Sequence, residues 1–332
     1  MYDIITFGSA TQDVFLKLKP SDCKIEGTAS PQEQARLCLP LGAKLFLQEM
    51  QLASGGGGSN TACTFARQGL KTAYCGKVVD DKQGLAVLDD LKKNGVALEL
   101  CWKGKERPTA FSAVLSAPNE ERTVLIYQGA CHFLDFNKLP QSKLKKAKWF
   151  YIAPLSGQLV EIFEPLVAFA LSQKIKVAAN LGHTQINLGQ EKLKSILAGV
   201  DVLILNQEEA SLLAKTPPAG GAEILKSLAG LTGKGIIIIT RGKQGCWVFD
   251  GQDLYTAGIA DAVVVEKTGA GDAFASGFLA GLLQSNQIEY AIQLATANAT
   301  SCIGEVGAKN GLLKKGQWGP WPKVSVHKTR MM

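Results

Sequence analysis

Short runs rich in β-branched and aromatic residues recur at 149–153, 176–180, 201–206, 235–240 and 246–249, with amphipathic stretches of helical spacing between most of them. This alternation predicts an α/β chain with a parallel sheet flanked by helices. Ile236, Ile237, Ile238 and Ile239 form an unbroken β-branched run, the pattern of a strand buried on both faces, and are expected near the centre of the sheet. The regions 14–52 and 109–127 follow another period. Runs such as Val14-Phe-Leu-Lys-Leu-Lys19 and Arg122-Thr-Val-Leu-Ile-Tyr127 alternate apolar with polar residues and lack intervening helices. They predict a small antiparallel sheet over one end of the α/β core, placed to act as a lid.

With 332 residues, 46% hydrophobic and 20% charged, the chain can bury a large core, in one large domain or two moderate ones. The net charge of +7 is scattered, and no basic stripe is interleaved with aromatic residues. That favours a small anionic ligand over nucleic acid. The eight cysteines, at 23, 38, 63, 75, 101, 131, 246 and 302, never form a Cys-x-x-Cys pair and are expected as buried, reduced thiols. His132, His183 and His327 show no metal-ligand spacing. The chain opens on a strand-like run, Ile4-Ile-Thr-Phe7, without a signal core, and no segment approaches the roughly 20 apolar residues that span a bilayer. A cytoplasmic protein without membrane contact is expected. Residues 316–332 hold Trp318 and Trp321 among prolines and end in basic residues, a tail expected to pack as a strap or to fray.

The stretch Thr268-Gly-Ala-Gly-Asp-Ala-Phe274 opens a helical pattern continued by Phe278, Leu279 and Leu282. Gly269, Ala270 and Gly271 leave backbone N–H groups uncrowded at a helix N-terminus, where phosphate binds. Asp272 in the first turn would face the same spot and can take a proton from an attacking hydroxyl. An acidic residue there also serves simply as a cap or dipole partner. A second glycine cluster, Ser54-Gly-Gly-Gly-Gly-Ser-Asn60, leads into a helix over 61–68 that Gly69 is expected to stop. Its glycines would let a ligand approach the backbone, and Asn60 offers both a donor and an acceptor; the alternative is a turn with Asn60 as helix cap. The run fits neither a Walker loop nor a dinucleotide fingerprint. Further polar groups fall at strand ends, where α/β proteins hold ligands: Asp13, Asn180, Asn206, Glu209 and the 240–245 loop.

Gly55-Gly-Gly-Gly-Ser-Asn60 and Lys267-Thr-Gly-Ala-Gly-Asp-Ala-Phe274, with Gly8-Ser-Ala-Thr-Gln-Asp13 before them and Asn206-Gln-Glu-Glu209 between, together resemble the ribokinase-like, or PfkB, carbohydrate kinase family from about Ile4 to about Gly311. The resemblance implies a single three-layer α/β/α sandwich over 1–332 with a mostly parallel central sheet and a β lid. It implies ATP as donor, magnesium, and a primary hydroxyl of a sugar or nucleoside as acceptor; the sugar is favoured because aromatic residues on lid strands more often serve packing than purine stacking. Carried onto this sequence, it makes Asp272 the catalytic base and Gly269, Ala270 and Gly271 the anion hole. Asp13, Gly56 and Asn60 take the substrate-binding positions. Asn206, Thr240, Gly242, Gly245 and Thr296 take the nucleotide positions, and Glu209 the one associated with magnesium.

The chain departs from the family pattern in two places. Glu266-Lys267-Thr268 stands where many members have Asp-Thr-Thr, the Asp often serving a monovalent cation, and Ala153-Pro-Leu-Ser156 stands where ribokinases place a Glu. Potassium activation and ribose are therefore not implied. Phe15, Phe46, Phe111 and Tyr127 on lid segments could stack on a purine, which keeps a nucleoside kinase as an alternative. A non-catalytic sugar or nucleotide sensor on the same fold is another. The open edges of the lid suggest a homodimer formed through it.

Overall fold

The computed structural model describes residues 1–27, 35–116, 122–233 and 235–331. Among them nine strands form one sheet in the spatial order Thr72–Cys75, Tyr2–Phe7, Ala147–Ile152, Lys176–Asn180, Val202–Asn206, Ile236–Thr240, Cys246–Phe249, Asp253–Ala257 and Val326–Arg330. The first six run parallel, and the last three pair antiparallel. Connection length accounts for the change. The loops 241–245 and 250–252 are too short to hold a crossover, so the chain must double back.

The isoleucine strand lies inside the sheet. Ile237 and Ile239 enter the core beneath the helices Phe163–Ser172, Gln190–Leu197, Gln207–Ala214 and Gly221–Thr232. Ile238 enters the opposite core, beneath Gly57–Arg67, Ala270–Ser285 and Ile288–Ile303. Burial on both faces is thus observed, and the three layers are helix, sheet, helix. Gly277 and Gly281 let the last two helices touch: a methyl group there would come within 3.0 and 2.8 Å of the Cα atoms of Ala295 and Ala291.

A separate four-stranded sheet has the order Arg122–Tyr127, Ala110–Ser116, Thr11–Lys17, Glu49–Gly55. It is mixed rather than antiparallel, because Thr11–Lys17 and Ala110–Ser116 run parallel. Both strands leave the core at the paired positions Thr11 and Ala110 and travel outward together, and the chain returns through the outer two. Period-two alternation is common to both pairings and cannot separate them. The excursion from this sheet carries a ribbon of Lys24–Glu26 and Arg36–Cys38. Residues 28–34 and 117–121 of the two lid segments lie outside the described residues.

The tail packs as a strap. Trp318 meets Tyr290 edge-on at 5.1 Å, Gln293 brackets the backbone of Val324, and Val326–Arg330 becomes an edge strand of the large sheet. Of the eight free thiols, Cys63, Cys75, Cys131, Cys246 and Cys302 are buried, whereas Cys23, Cys38 and Cys101 keep partial exposure, contrary to the expected burial of all eight. The first two of these lie on or beside the peripheral two-stranded ribbon, outside the nine-stranded and four-stranded sheets. Burial pushes the Cys63 and Cys131 thiols up to about 11, the protonated and unreactive form at neutral pH. Among the described residues no helix is long and apolar enough to cross a membrane.

Candidate active site

Gly269 caps the helix Ala270–Ser285 in the left-handed region, at φ 82°. Glycine is demanded twice there, since a methyl group would also lie 2.3 Å from Ala308 Cβ. The turn leaves the amides of Gly269, Gly271 and Asp272 without a protein acceptor among the described residues. Ala270 N differs, donating to Lys267 O across a long 3.3 Å. Gly271 is exposed, and a methyl group on it would meet only open space. Free N–H groups at the start of a sixteen-residue helix, with a clear approach, can take an anion.

Asp272 is not the cap of this helix. Its Oδ2 accepts from Asn60 Nδ2 at 2.8 Å, joining the first turns of two helices 212 residues apart in sequence. Burial raises the Asp272 pKa, while the Asn60 hydrogen bond and the Lys309 ammonium act in the opposite direction. Asn60 Oδ1 is buried with no partner among the described residues. The four glycines before Asn60 are not equivalent. Methyl groups on Gly55, Gly56 and Gly58 would strike Asp13, the Ser9 carbonyl and the Gly8 backbone, so those three serve packing. Gly57 borders the site: a methyl group there would lie 3.5 Å from Asp272 Oδ1.

Asp13 lies at the root of the lid, buried, with Thr11 Oγ1 donating to its Oδ1 at 2.8 Å. Burial raises its pKa; the Thr11 and Ser112 hydroxyls and the Lys309 charge lower it. Strand register sorts the lid aromatics. Phe15 shares the face of Asp13, whereas Phe111 pairs with Gln12 and Tyr127 with Phe111, which puts both on the opposite face, and Phe46 sits outside the strands, exposed. Three of the four aromatics offered for purine stacking are therefore not placed for it.

Asn206 and Thr240 are register partners at the carboxyl ends of neighbouring strands. Asn206 caps the helix Gln207–Ala214 reciprocally with Glu209: each backbone N–H donates to the other's side chain at 2.8 Å. One Glu209 carboxylate oxygen is thereby engaged, and burial raises the group's pKa. Among the described residues no group of three His, Cys, Asp or Glu side chains could hold a metal. Gly242 and Gly245 have φ of 53° and 81°, and a methyl group on Gly245 would lie 1.9 Å from the Ala257 carbonyl. Thr296 is buried in the helix Ile288–Ile303, its hydroxyl without a partner among the described residues.

Sequence reasoning missed Lys309. This lysine is 3% exposed, and its Nζ lies 2.6 Å from Ser54 Oγ and 2.9 Å from Asp90 Oδ2. Nothing in Gly-Ala-Lys-Asn-Gly marks a buried cation, because its partners lie more than two hundred residues upstream. It also missed Tyr151, fully buried in the sheet with its hydroxyl near Asp272 and Asn180.

The ribokinase of Haemophilus influenzae is 26% identical over 82% of this chain and 88% of its own length. Among solved structures, Arabidopsis thaliana ribokinase complexed with ribose and ATP superposes with a TM-score of 0.75 at 20% identity, covering 94% of this chain and 96% of that one. The adenosine kinase of Sinorhizobium meliloti gives 0.75 at 24% identity over 93% and 95%. These two likenesses establish a ribokinase-type fold. Residues 42–315, which hold the glycine run, the Asn206–Glu209 cap and the Asp272 turn, match the profile of the pfkB family carbohydrate kinases, and the chain belongs to that family.

Proposed function

We propose that this carbohydrate kinase transfers the γ-phosphoryl group of ATP to a hydroxyl of a small sugar, with Asp272 as general base and the amides of Gly269, Gly271 and Asp272 as anion hole. Ala270 N joins them by releasing its long bond to Lys267. The observation that carries this reading is the Asn60–Asp272 hydrogen bond beside amides that have no protein acceptor. Asn60 holds one carboxylate oxygen and leaves Oδ1, beside Gly57, for the acceptor. The acceptor O–H proton passes to Asp272 as the new O–P bond forms. The bond from phosphorus to the bridging oxygen breaks, and ADP leaves with that electron pair. The helix N-terminus stabilises charge on the moving group. Asp13 and Asn60 orient the sugar hydroxyls.

Asn206, Thr240, Gly242, Gly245 and Thr296 form the nucleotide side. The glycine conformations of the 240–245 loop and the unpaired Thr296 hydroxyl fit a ligand of that size and polarity. Magnesium would be held mainly by phosphate oxygens and waters, with Glu209, one of whose oxygens already accepts from Asn206 N, as the protein carboxylate on that side. When bound it neutralises phosphate charge. Retention of Asp13, Asn60, Glu209 and Asp272 speaks against a non-catalytic sensor. The facing of Phe111 and Tyr127 removes most of the support for a nucleoside acceptor. An acceptor panel monitored by ADP release tests the reading: turnover with a free sugar supports it, and turnover with nucleosides alone sinks the sugar assignment.

Gly271→Ala separates the anion hole from the scaffold. The added methyl group meets nothing in the protein, so stability is expected to hold or to rise by up to about 1 kcal/mol. In the same variant the methyl group stands in the open approach to the retained N–H, and kcat is expected to fall by up to roughly 10²-fold, the scale of one obstructed anion-hole contact. Steady-state kinetics and a urea titration read the two effects.

The outer face of the lid, opposite Asp13, exposes Met50, Leu52, Leu125 and Tyr127. We infer that two copies pair through this face. Light scattering at micromolar concentration is expected to give twice the chain mass, and Leu52→Glu to halve it. A monomeric wild-type chain refutes the pairing.

A further inference from the structure

A partly buried ion pair joins the lid to the loop that precedes the anion-binding helix. Arg122 opens an edge strand of the lid, and its Nη1 lies 3.1 Å from Glu266 Oε1. The same oxygen accepts from Thr268 N at 2.9 Å and from Thr268 Oγ1 at 2.8 Å, so three donors converge on it. The amides of Val265 and Glu266 both donate to Ile303 O, at 2.8 and 3.1 Å. Glu266 thus closes a turn that is fixed from both sides and ends one residue before Gly269. Beside the pair, a cleft of about 470 Å³ separates lid from loop, lined by Phe15, Lys17 and Gln51 on one side and Val264, Val265 and Val306 on the other.

We propose that Arg122 is a positioning residue for phosphoryl transfer: acting through Glu266, it sets the 266–268 turn, and with it the Gly269–Gly271 amides, as the lid covers the acceptor. This rests on the assignment of those amides as the anion site. Two physical requirements meet in the pair. An unpaired carboxylate next to the anion site would repel the phosphoryl group, and the guanidinium cancels that charge. The Glu266 side chain is 10% exposed and that of Arg122 29%, so solvent screens the pair less than it screens a surface ion pair. The bond also gives the lid a handle on the loop across the cleft. A lid that only held the acceptor would need no contact with the turn before the helix.

Arg122→Ala and Arg122→Gln in the full chain test this, with kcat and acceptor KM measured on the best acceptor of the panel. The expected result is a fall of roughly 10–10²-fold in kcat, as for a misplaced catalytic group, with acceptor KM within about threefold of wild type. Sub-denaturing guanidinium chloride should restore turnover to Arg122→Ala, and sodium chloride at equal ionic strength should not. The double variant Arg122→Ala/Glu266→Gln should gain nothing from guanidinium. A kcat within about twofold of wild type, a change confined to acceptor KM, or equal recovery in both salts overturns the proposal. Wild type inactive on every acceptor would instead remove the kinase reading beneath it, whereas active wild type with unaffected Arg122 variants removes this inference alone.

Discussion

Asp272→Asn is expected to lower acceptor-dependent ADP release by roughly 10²–10⁴-fold, the range for loss of a general base, in a chain that folds normally. An amide at 272 still accepts the Asn60 hydrogen bond through its oxygen, so the junction between the two helices survives. What it cannot do is take a proton at neutral pH. The same substitution is expected to raise the melting temperature at neutral pH. Burial holds the folded-state pKa of Asp272 above its ordinary value, so the folded chain carries an ionisation penalty. That penalty is absent below the ordinary carboxylate pKa, grows as pH rises towards the folded value, and is complete above it. The stability gain of the variant should therefore shrink as the solution is acidified. Kinetics and thermal melts across pH read both effects, and wild-type turnover in Asp272→Asn would eliminate the base.

Removing Lys309 is expected to have the second largest effect, this time on stability. Its ammonium is nearly sealed, at 4% side-chain exposure, while the Asp90 side chain keeps 33%. Breaking a buried pair costs about 3–5 kcal/mol when the remaining charge stays dry. Lys309→Met leaves the partly solvated carboxylate behind, and the methionine refills the space of the lysine stem. Its cost should be lower, about 2–3 kcal/mol on that scale. Asp90→Ala strands the sealed ammonium with Ser54 alone and should cost about 3–5 kcal/mol. Urea unfolding of both variants checks this order, and equal or inverted costs contradict it. Lys309 also lowers the pKa of Asp13 and Asp272, so Lys309→Met should move the acid limb of the kcat/KM profile to higher pH.

The fold was legible wherever a single segment carries its own signal. The strands Lys176–Asn180 and Cys246–Phe249 coincide with the runs expected at 176–180 and 246–249, and Ile236–Thr240 begins one residue later than expected. The helix after the glycine run extends back to Gly57, because glycine spacing does not reveal which of four glycines begins the turn. Strand direction in the lid was illegible, since it depends on where two distant segments leave the core. The site divides in the same way. Asp272 and Asn60 could be named from local motifs, and their mutual hydrogen bond is what the structure adds. Lys309 and Arg122 left no local mark, because each owes its place to a partner far away in sequence, and Glu266 stood out only as a departure from the family motif, not as the partner of Arg122. Aromatic residues on lid strands were visible, but the face each one takes follows from cross-strand register.

The central claim is that one point receives both the phosphoryl group and the acceptor hydroxyl. A crystal structure of the chain with a non-hydrolysable ATP analogue and the preferred sugar tests it most directly. The expected density places a sugar hydroxyl within about 2.6–3.2 Å of an Asp272 carboxylate oxygen and the terminal phosphate against the Gly269–Asp272 amides. A terminal phosphate bound elsewhere, or a sugar seated with no hydroxyl near Asp272, would contradict it.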